Sequence, residues 1–126
     1  MTIYRLKFFA AVVAGVVFAV SPASAEQSEA KAVFKARGVP FVPVRQHIMQ
    51  ANEELVEWTG FRNAPVAVYN DEPGVAGWTE ILMLAERLGS GPSLLPADQI
   101  DRMMALGISA EICSPGGFGW ERRLSM

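Results

Sequence analysis

Apolar positions along the chain alternate between a helical period and the tighter spacing of strands. In "EQSEAKAVFKARG" Ala30, Val33, Phe34 and Arg37 fall on one helical face, Glu29 comes early, basic residues come late, and Gly38 is a stop signal. "VPFVPVRQ" reads as a short strand whose Pro40 and Pro43 remove backbone donors, which places it at a sheet edge. "ANEELVEWTG" reads as a second, short helix with Asn52 as N-cap, Glu53 and Glu54 in its first turn and Gly60 beyond its end. A strand over Pro65–Tyr69, a turn at Asn70–Gly74 and a brief return strand around Val75–Ala76 follow. "WTEILMLAERLG" carries the clearest helical stripe, Ile81, Leu82, Leu84, Ala85 and Leu88, closed by Gly89. After the linker "SGPSLLP", a last helix in "ADQIDRMMALGISAEIC" sets Ile100, Met103, Met104, Ile108 and Ile112 on one side.

This order begins with a helix that runs into a strand, and such a unit needs a strand before it to complete a βαβ crossover. Val16–Val20, "VVFAV", is the candidate, with the continuous apolar and β-branched character of a strand buried on both faces. The same stretch also reads as a secretory signal. Arg5 and Lys7 form a basic start, Phe8 to Val20 is an unbroken apolar run, Pro22 breaks it, and Ala23-Ser24-Ala25 is a small-residue cleavage pattern. The run is shorter than the ~20 apolar residues of a membrane span. The local pattern tips the expectation toward residues 1–25 as a signal peptide and an exported, periplasmic product; the alternative is a cytoplasmic chain that keeps 16–20 as its first strand.

Composition narrows the chemistry. The chain has 126 residues, 51% hydrophobic and 19% charged, so it fits one globular domain. With 11 basic and 13 acidic residues and no basic run, nucleic acid is not an expected partner. A single cysteine, Cys113, excludes an internal disulfide and a Cys-x-x-Cys redox pair. A single histidine, His47, leaves no ligand set for zinc, so no metal is expected.

The segments "GVPFVPV", "WTGFRNAPVAVYNDEP", "GWTEILMLAERL", "SLLPAD" and "GFGWERRL", over about Lys31 to Leu124, resemble a bacterial branch of the glutathione transferase superfamily. The resemblance implies an α/β fold: a thioredoxin-like βαβαββα domain over 26–90, or from about 16 if the first strand is kept. It also implies the start of a truncated all-helical region over 97–126. The family's third strand opens with a cis-proline, and the backbone of the preceding residue pairs with the cysteinyl part of glutathione; Pro65 and Ala64 match these positions. The physics suits that role, because a cis X-Pro bond is tolerated and leaves backbone groups free to bond a peptide in strand fashion.

Two matches depart from the family pattern. The acidic residue and the Ser or Thr that hold the γ-glutamyl group correspond to Gly77 and Trp78, which lack such side chains. The free amides of a helix N-terminus would remain for a carboxylate, and Thr79 offers a nearby hydroxyl that can equally serve as a cap. The family's thiol-activating residue follows the first strand, in "VSPASAE" here, so Ser21 or Ser24 takes that place. Its hydrogen bond would favour the thiolate of the bound thiol.

The implied function is therefore a glutathione S-transferase-like protein that binds glutathione or a related thiol peptide near Ala64, Pro65, Trp78 and Thr79, with weak transfer activity or none. Two alternatives stand beside it: a non-catalytic thioredoxin-fold module that docks or forms a homodimer through the uncovered side of its last helix, and an inactive remnant. Trp58 and Trp78 are expected to pack between layers, and Trp120, beside Arg122 and Arg123, to cover a surface seam. Cys113 is expected as a small buried hydrophobe, and Glu53, Glu54 and Glu57 as a solvated face.

Overall fold

The computed structural model describes residues 16–20, 25–47, 49–62, 65–113 and 118. Its centre is a three-stranded sheet of order β2-β1-β3, formed by β1 (Val16–Val20), β2 (Phe41–Arg45) and β3 (Val66–Tyr69). β1 pairs β2 in parallel from Val16 opposite Phe41 to Val20 opposite Arg45. It pairs β3 antiparallel, from Val16 opposite Tyr69 to Ala19 opposite Val66. The strand expected from "VVFAV" is thus the central one, and β2, with Pro43 in it, lies at an edge as its prolines require.

Alternation along the strands divides the helices between two faces. Ala67 and Tyr69 of β3 and Phe41 of β2 join a cluster with Ala30, Val33 and Phe34 from α1 (Ala25–Ala36) and Ile81, Leu82, Leu84 and Ala85 from α3 (Trp78–Leu88). Phe34 and Ile81 are its largest fully buried side chains. The neighbouring Val66, with Val44, meets Leu55 and Trp58 of α2 (Glu53–Thr59) on the opposite face. Both α1 and α3 show the stripes read from the sequence, and Trp58 and Trp78 pack partly buried against the two clusters.

The same stripe placed Arg37 inward, and it is buried, with 6% of its surface exposed. At its position the chain leaves α1 through Gly38, whose φ of 67° suits a residue without a side chain. Gly38 N–H bonds Lys35 C=O and Val39 N–H bonds Phe34 C=O, the paired bonds of a Schellman end, with Phe34 and Val39 sharing the core. The Arg37 guanidinium crosses to the end of α3. Nη2 donates to the carbonyls of Glu86 (3.0 Å) and Gly89 (2.7 Å), and Nη1 donates to Gly91 C=O. Nε lies 3.3 Å from Glu86 Oε1, a charge contact outside hydrogen-bond geometry.

Glu86 completes the clasp. Its carboxylate accepts from Ser93 Oγ at 2.6 Å and from Leu94 N–H at 2.8 Å, which fixes the connection leading into α4 (Gln99–Cys113). Gly89 and Gly91 let this connection lie against α1: a methyl at Gly89 would fall 2.6 Å from Arg37 O, and one at Gly91 2.8 Å from Ala36 O. Leu95 is buried in the main cluster, so the expected linker is also a core element. Burial pushes the Glu86 carboxyl up, but the bonds from Ser93 and Leu94 and the charges of Arg37 and Arg102 together hold it below its ordinary value.

Two expectations need correction. The return strand shrinks to one bridge, Val75 with Ala67, bonded in both directions at 2.9 Å. Pro73 has no N–H to extend it and Gly77 already begins α3, so there is length for a single pair. Cys113 is exposed rather than buried, because it ends α4 beyond the part that reaches the core through Leu106. Asn52 does stand at the N-cap position of α2, but its side chain makes no cap bond; its φ is 48° and its amide is engaged elsewhere, as described below. Ile100, Met103, Met104, Ile108 and Ile112 are 49–67% exposed, so α4 shows its apolar side to solvent.

The clasp makes two outcomes measurable by urea unfolding. Arg37→Met should lower stability by about 3–5 kcal/mol, the usual cost of stranding one partner of a buried pair, here together with its carbonyl acceptors; a loss under 1 kcal/mol would mean the clasp contributes little. Because the folded carboxyl of Glu86 is held below its ordinary value of 4.5, its contribution is complete above pH 4.5 and disappears as pH falls through the lower folded value. Glu86→Gln should therefore flatten the acid limb of the stability profile below that pH.

Candidate functional site

Three chain segments meet at one end of the sheet. β1 and β2 run parallel and finish together at Val20 and Arg45. β3 runs the opposite way and starts there, since Val66 lies opposite Ala19 and Pro65 is the residue before it. From its bridge at Ala67, Val75 continues toward the same end, where Ala76 packs against Val66 and Gly77 opens α3. Pro65, Trp78 and Thr79 are therefore brought to one end of the sheet. Ser21, Ser24 and Ala64 lie outside the described residues; by sequence Ser21 follows Val20 and Ala64 precedes Pro65.

Each described side chain has a distinct setting. Pro65 is half-buried. Trp78 is half-buried against the main core cluster, so one part of its ring is committed to packing. Thr79 is exposed and lies inside the helix; the cap position belongs to Gly77, which makes no side-chain cap bond. The capping role open to Thr79 in the sequence is therefore not the one it takes.

The first bond within α3 runs from Ile81 N–H to Gly77 C=O at 2.9 Å. The amides of Trp78, Thr79 and Glu80 thus face out of the helix end, where its dipole favours negative charge. The chain supplies such a charge itself: a methyl at Gly77 would lie only 1.9 Å from Glu80 Oε2, so the Glu80 carboxylate folds back over Gly77. The arrangement follows the spacing of a capping box, with glycine in place of the hydroxyl residue.

The loop between β2 and α2 borders the same end and holds residues that sequence reasoning missed. Asn52 Oδ1 accepts from His47 N–H at 2.9 Å, and its Nδ2 donates to the carbonyls of His47 (2.7 Å) and Gln50 (2.8 Å). The left-handed backbone at Asn52 and at Met49, with φ 61°, folds the loop so that Met49 is 98% exposed. Gln46 Nε2 donates to Arg62 C=O at 2.7 Å and ties this loop to the segment approaching Pro65. Nothing in the sequence distinguishes these amides from ordinary loop polarity; the signal was only that Asn tolerates positive φ.

Among the described residues no group of three or more His, Cys, Asp or Glu could hold a metal ion, and no helix is long and apolar enough to cross a membrane.

No protein-family model and no curated protein matches the chain. Solved structures do. A Tau class glutathione S-transferase from mango, Mangifera indica, superposes with a TM-score of 0.66 at 21% identity, over 76% of this chain and 44% of that one. An Omega glutathione transferase from Trametes versicolor gives 0.68 at 11% identity, over 86% and 49%. A glutathione transferase homolog from Sulfitobacter, solved with bound glutathione, gives 0.60 at 16% identity, over 79% and 50%. The chain thus carries a glutathione transferase-type, thioredoxin-like α/β fold and spans half or less of the length of these structures.

The reading of Gly77 can be checked directly. Its φ of −72° and ψ of 146° suit any residue, and the group that a methyl would meet is the end of a flexible side chain. Gly77→Ala should therefore move Glu80 aside and change stability by less than about 1 kcal/mol, whereas Gly89→Ala, which meets backbone, should cost about 1–3 kcal/mol. Thermal unfolding of the two variants side by side measures the difference.

Proposed function

We propose that the chain is a glutathione transferase-like protein that binds glutathione or a related thiol peptide at the sheet end formed by Pro65, the end of β1 and the start of α3. The observation that carries this reading is the convergence of those three segments in a fold shared with a Sulfitobacter homolog solved with bound glutathione. The peptide lies along the opening of β3, its cysteinyl backbone bonded by Ala64 ahead of a cis-Pro65. Its carboxylate takes the α3 amides at Trp78 and Thr79 once Glu80 swings off Gly77.

Ser21 or Ser24 then bonds the ligand sulfur. An unperturbed thiol titrates near pH 8.5, so such a bond enlarges the thiolate fraction at neutral pH by about tenfold for each unit of lowering. In the transfer step the thiolate sulfur forms a bond to an electrophilic carbon and the leaving group departs with its electron pair. Transfer is weak in this proposal, because neither Gly77 nor Trp78 offers the hydroxyl or carboxylate that would anchor the γ-glutamyl group.

The binding form retains Val16–Val20. Without β1, the strands β2 and β3 would lose their shared partner, and each buried backbone group left unpaired costs about 1–3 kcal/mol. Cleavage after Ala25 and export is the competing proposal. A second functional reading, a non-catalytic module that docks a partner or a second copy through α4, draws on the exposed apolar side of that helix.

Calorimetric titration of the full chain with glutathione, together with retention on immobilised glutathione, tests the proposal. Binding should be measurable and should weaken at least about tenfold in Pro65→Ala, a change of ~1.4 kcal/mol. Absent binding in a folded, full-length sample would refute it. The intact mass of the retained fraction should include residues 1–25; a retained fraction lacking them would overturn the role given to β1.

A further inference from the structure

α4 is held to the rest of the molecule differently from α1 and α3. Those two helices place Ala30, Val33 and Phe34, and Ile81, Leu82, Leu84 and Ala85, in the main cluster, whereas no residue of α4 is buried. Its apolar hold is Leu106, half-buried on that cluster, together with Leu95 of the connection. Its start does not lean on the domain either. Asp98 Oδ1 accepts from the N–H groups of Ile100 (2.9 Å) and Asp101 (3.1 Å), so the chain caps this helix from within. A helix complete in itself and lightly packed is free to leave the domain as one unit.

What fastens it is a carboxylate. The Glu86 side chain is 8% exposed and lies 3.3 Å from Arg37 of α1, and the charge of Arg102 on α4 acts on it as well. Its oxygens also accept from Ser93 Oγ and Leu94 N–H. The ties from α3 to Ser93, Leu94 and Arg102 thus all end on this one group. Arg87, the next cation along α3, is turned away to Glu72 and the Tyr69 ring.

Protonation would reverse the sign of the arrangement. While Glu86 is ionised, Arg37 and Arg102 share an anion. Once it is neutral, the domain and α4 present each other with two cations and no counter-charge. One carboxyl oxygen also turns from acceptor to donor, among groups that already donate to it.

We propose that α4 is an acid-released strap: protonation of Glu86 undoes the latch, and residues 93–113 swing away while the sheet, α1 and α3 stay folded. The direction follows from the latched state. Because Glu86 is held below its ordinary value of 4.5, the latch is complete above that pH and is lost as pH falls through the lower value.

Hydrogen exchange of the full chain, read by peptide mass spectrometry and corrected for the intrinsic effect of pH, tests this. As pH is taken from neutral to below 4.5, peptides of Gln99–Cys113 should lose protection by about tenfold or more relative to those of α1 and α3. Glu86→Gln should show that loss already at neutral pH and should remove its dependence on pH. Protection that falls in α1, α3 and α4 together would mean global unfolding and would overturn the proposal. So would protection of α4 that stays level in acid, or that Glu86→Gln leaves unchanged at neutral pH. An acid response that persists in Glu86→Gln would assign it to the capping Asp98 instead, and would overturn the proposal too.

Discussion

Backbone pairing on both sides of Val16–Val20 is the constraint from which the rest of the architecture follows. Through β1 the parallel β2 and the antiparallel β3 acquire a common register, and that register brings Val20, Arg45 and Pro65 to one end of the sheet. It also fixes which side of β3 meets α1 and α3 and which meets α2, because Ala67 and Val66 must face opposite ways. The candidate site is thus a product of topology before it is a product of side chains. A stretch that also carries every local mark of a discarded leader forms the axis of the fold.

The second organising element is the clasp around Arg37. One guanidinium satisfies carbonyls at the end of α3 and in the connection beyond it, while its partner Glu86 collects donors from Ser93 and Leu94. The group thereby joins the end of α1 to the end of α3 and the connection that follows it, about 50 residues further along the chain. A buried ion pair of this kind is often no better for stability than apolar packing, but it is directional. Here its direction sets where the last helix leaves the domain.

Much of this was legible in the sequence where periodicity and punctuation agree. The stripes of α1 and α3, the stop at Gly38 and the edge position of β2 follow from spacing and from the chemistry of glycine and proline; a strand at "VVFAV" was called for by the helix-then-strand order, against a local pattern that read as a signal peptide. Even Arg37 could be placed inward, because it shares a face with Ala30, Val33 and Phe34. Its partner could not, since Glu86 is 49 residues away and looks like any helical glutamate. Asn52 stands at the N-cap position as read, but the amide that can cap a helix can equally staple a loop, and here it bonds His47 and Gln50. For Cys113 the stripe told which side of α4 is apolar, but apolarity does not tell whether a layer lies over it. Of the site, Pro65 and the start of α3 were readable from their place in the pattern, whereas the folding of Glu80 over Gly77 depends on a rotamer that no spacing encodes.

The edge strand has a consequence for assembly. β2 offers an incoming strand a proline in its third position, and the far side of β3 is already partly taken by Val75. A sheet bounded in this way terminates itself: strand-by-strand growth into fibrils would meet a missing donor on one flank and an occupied backbone on the other.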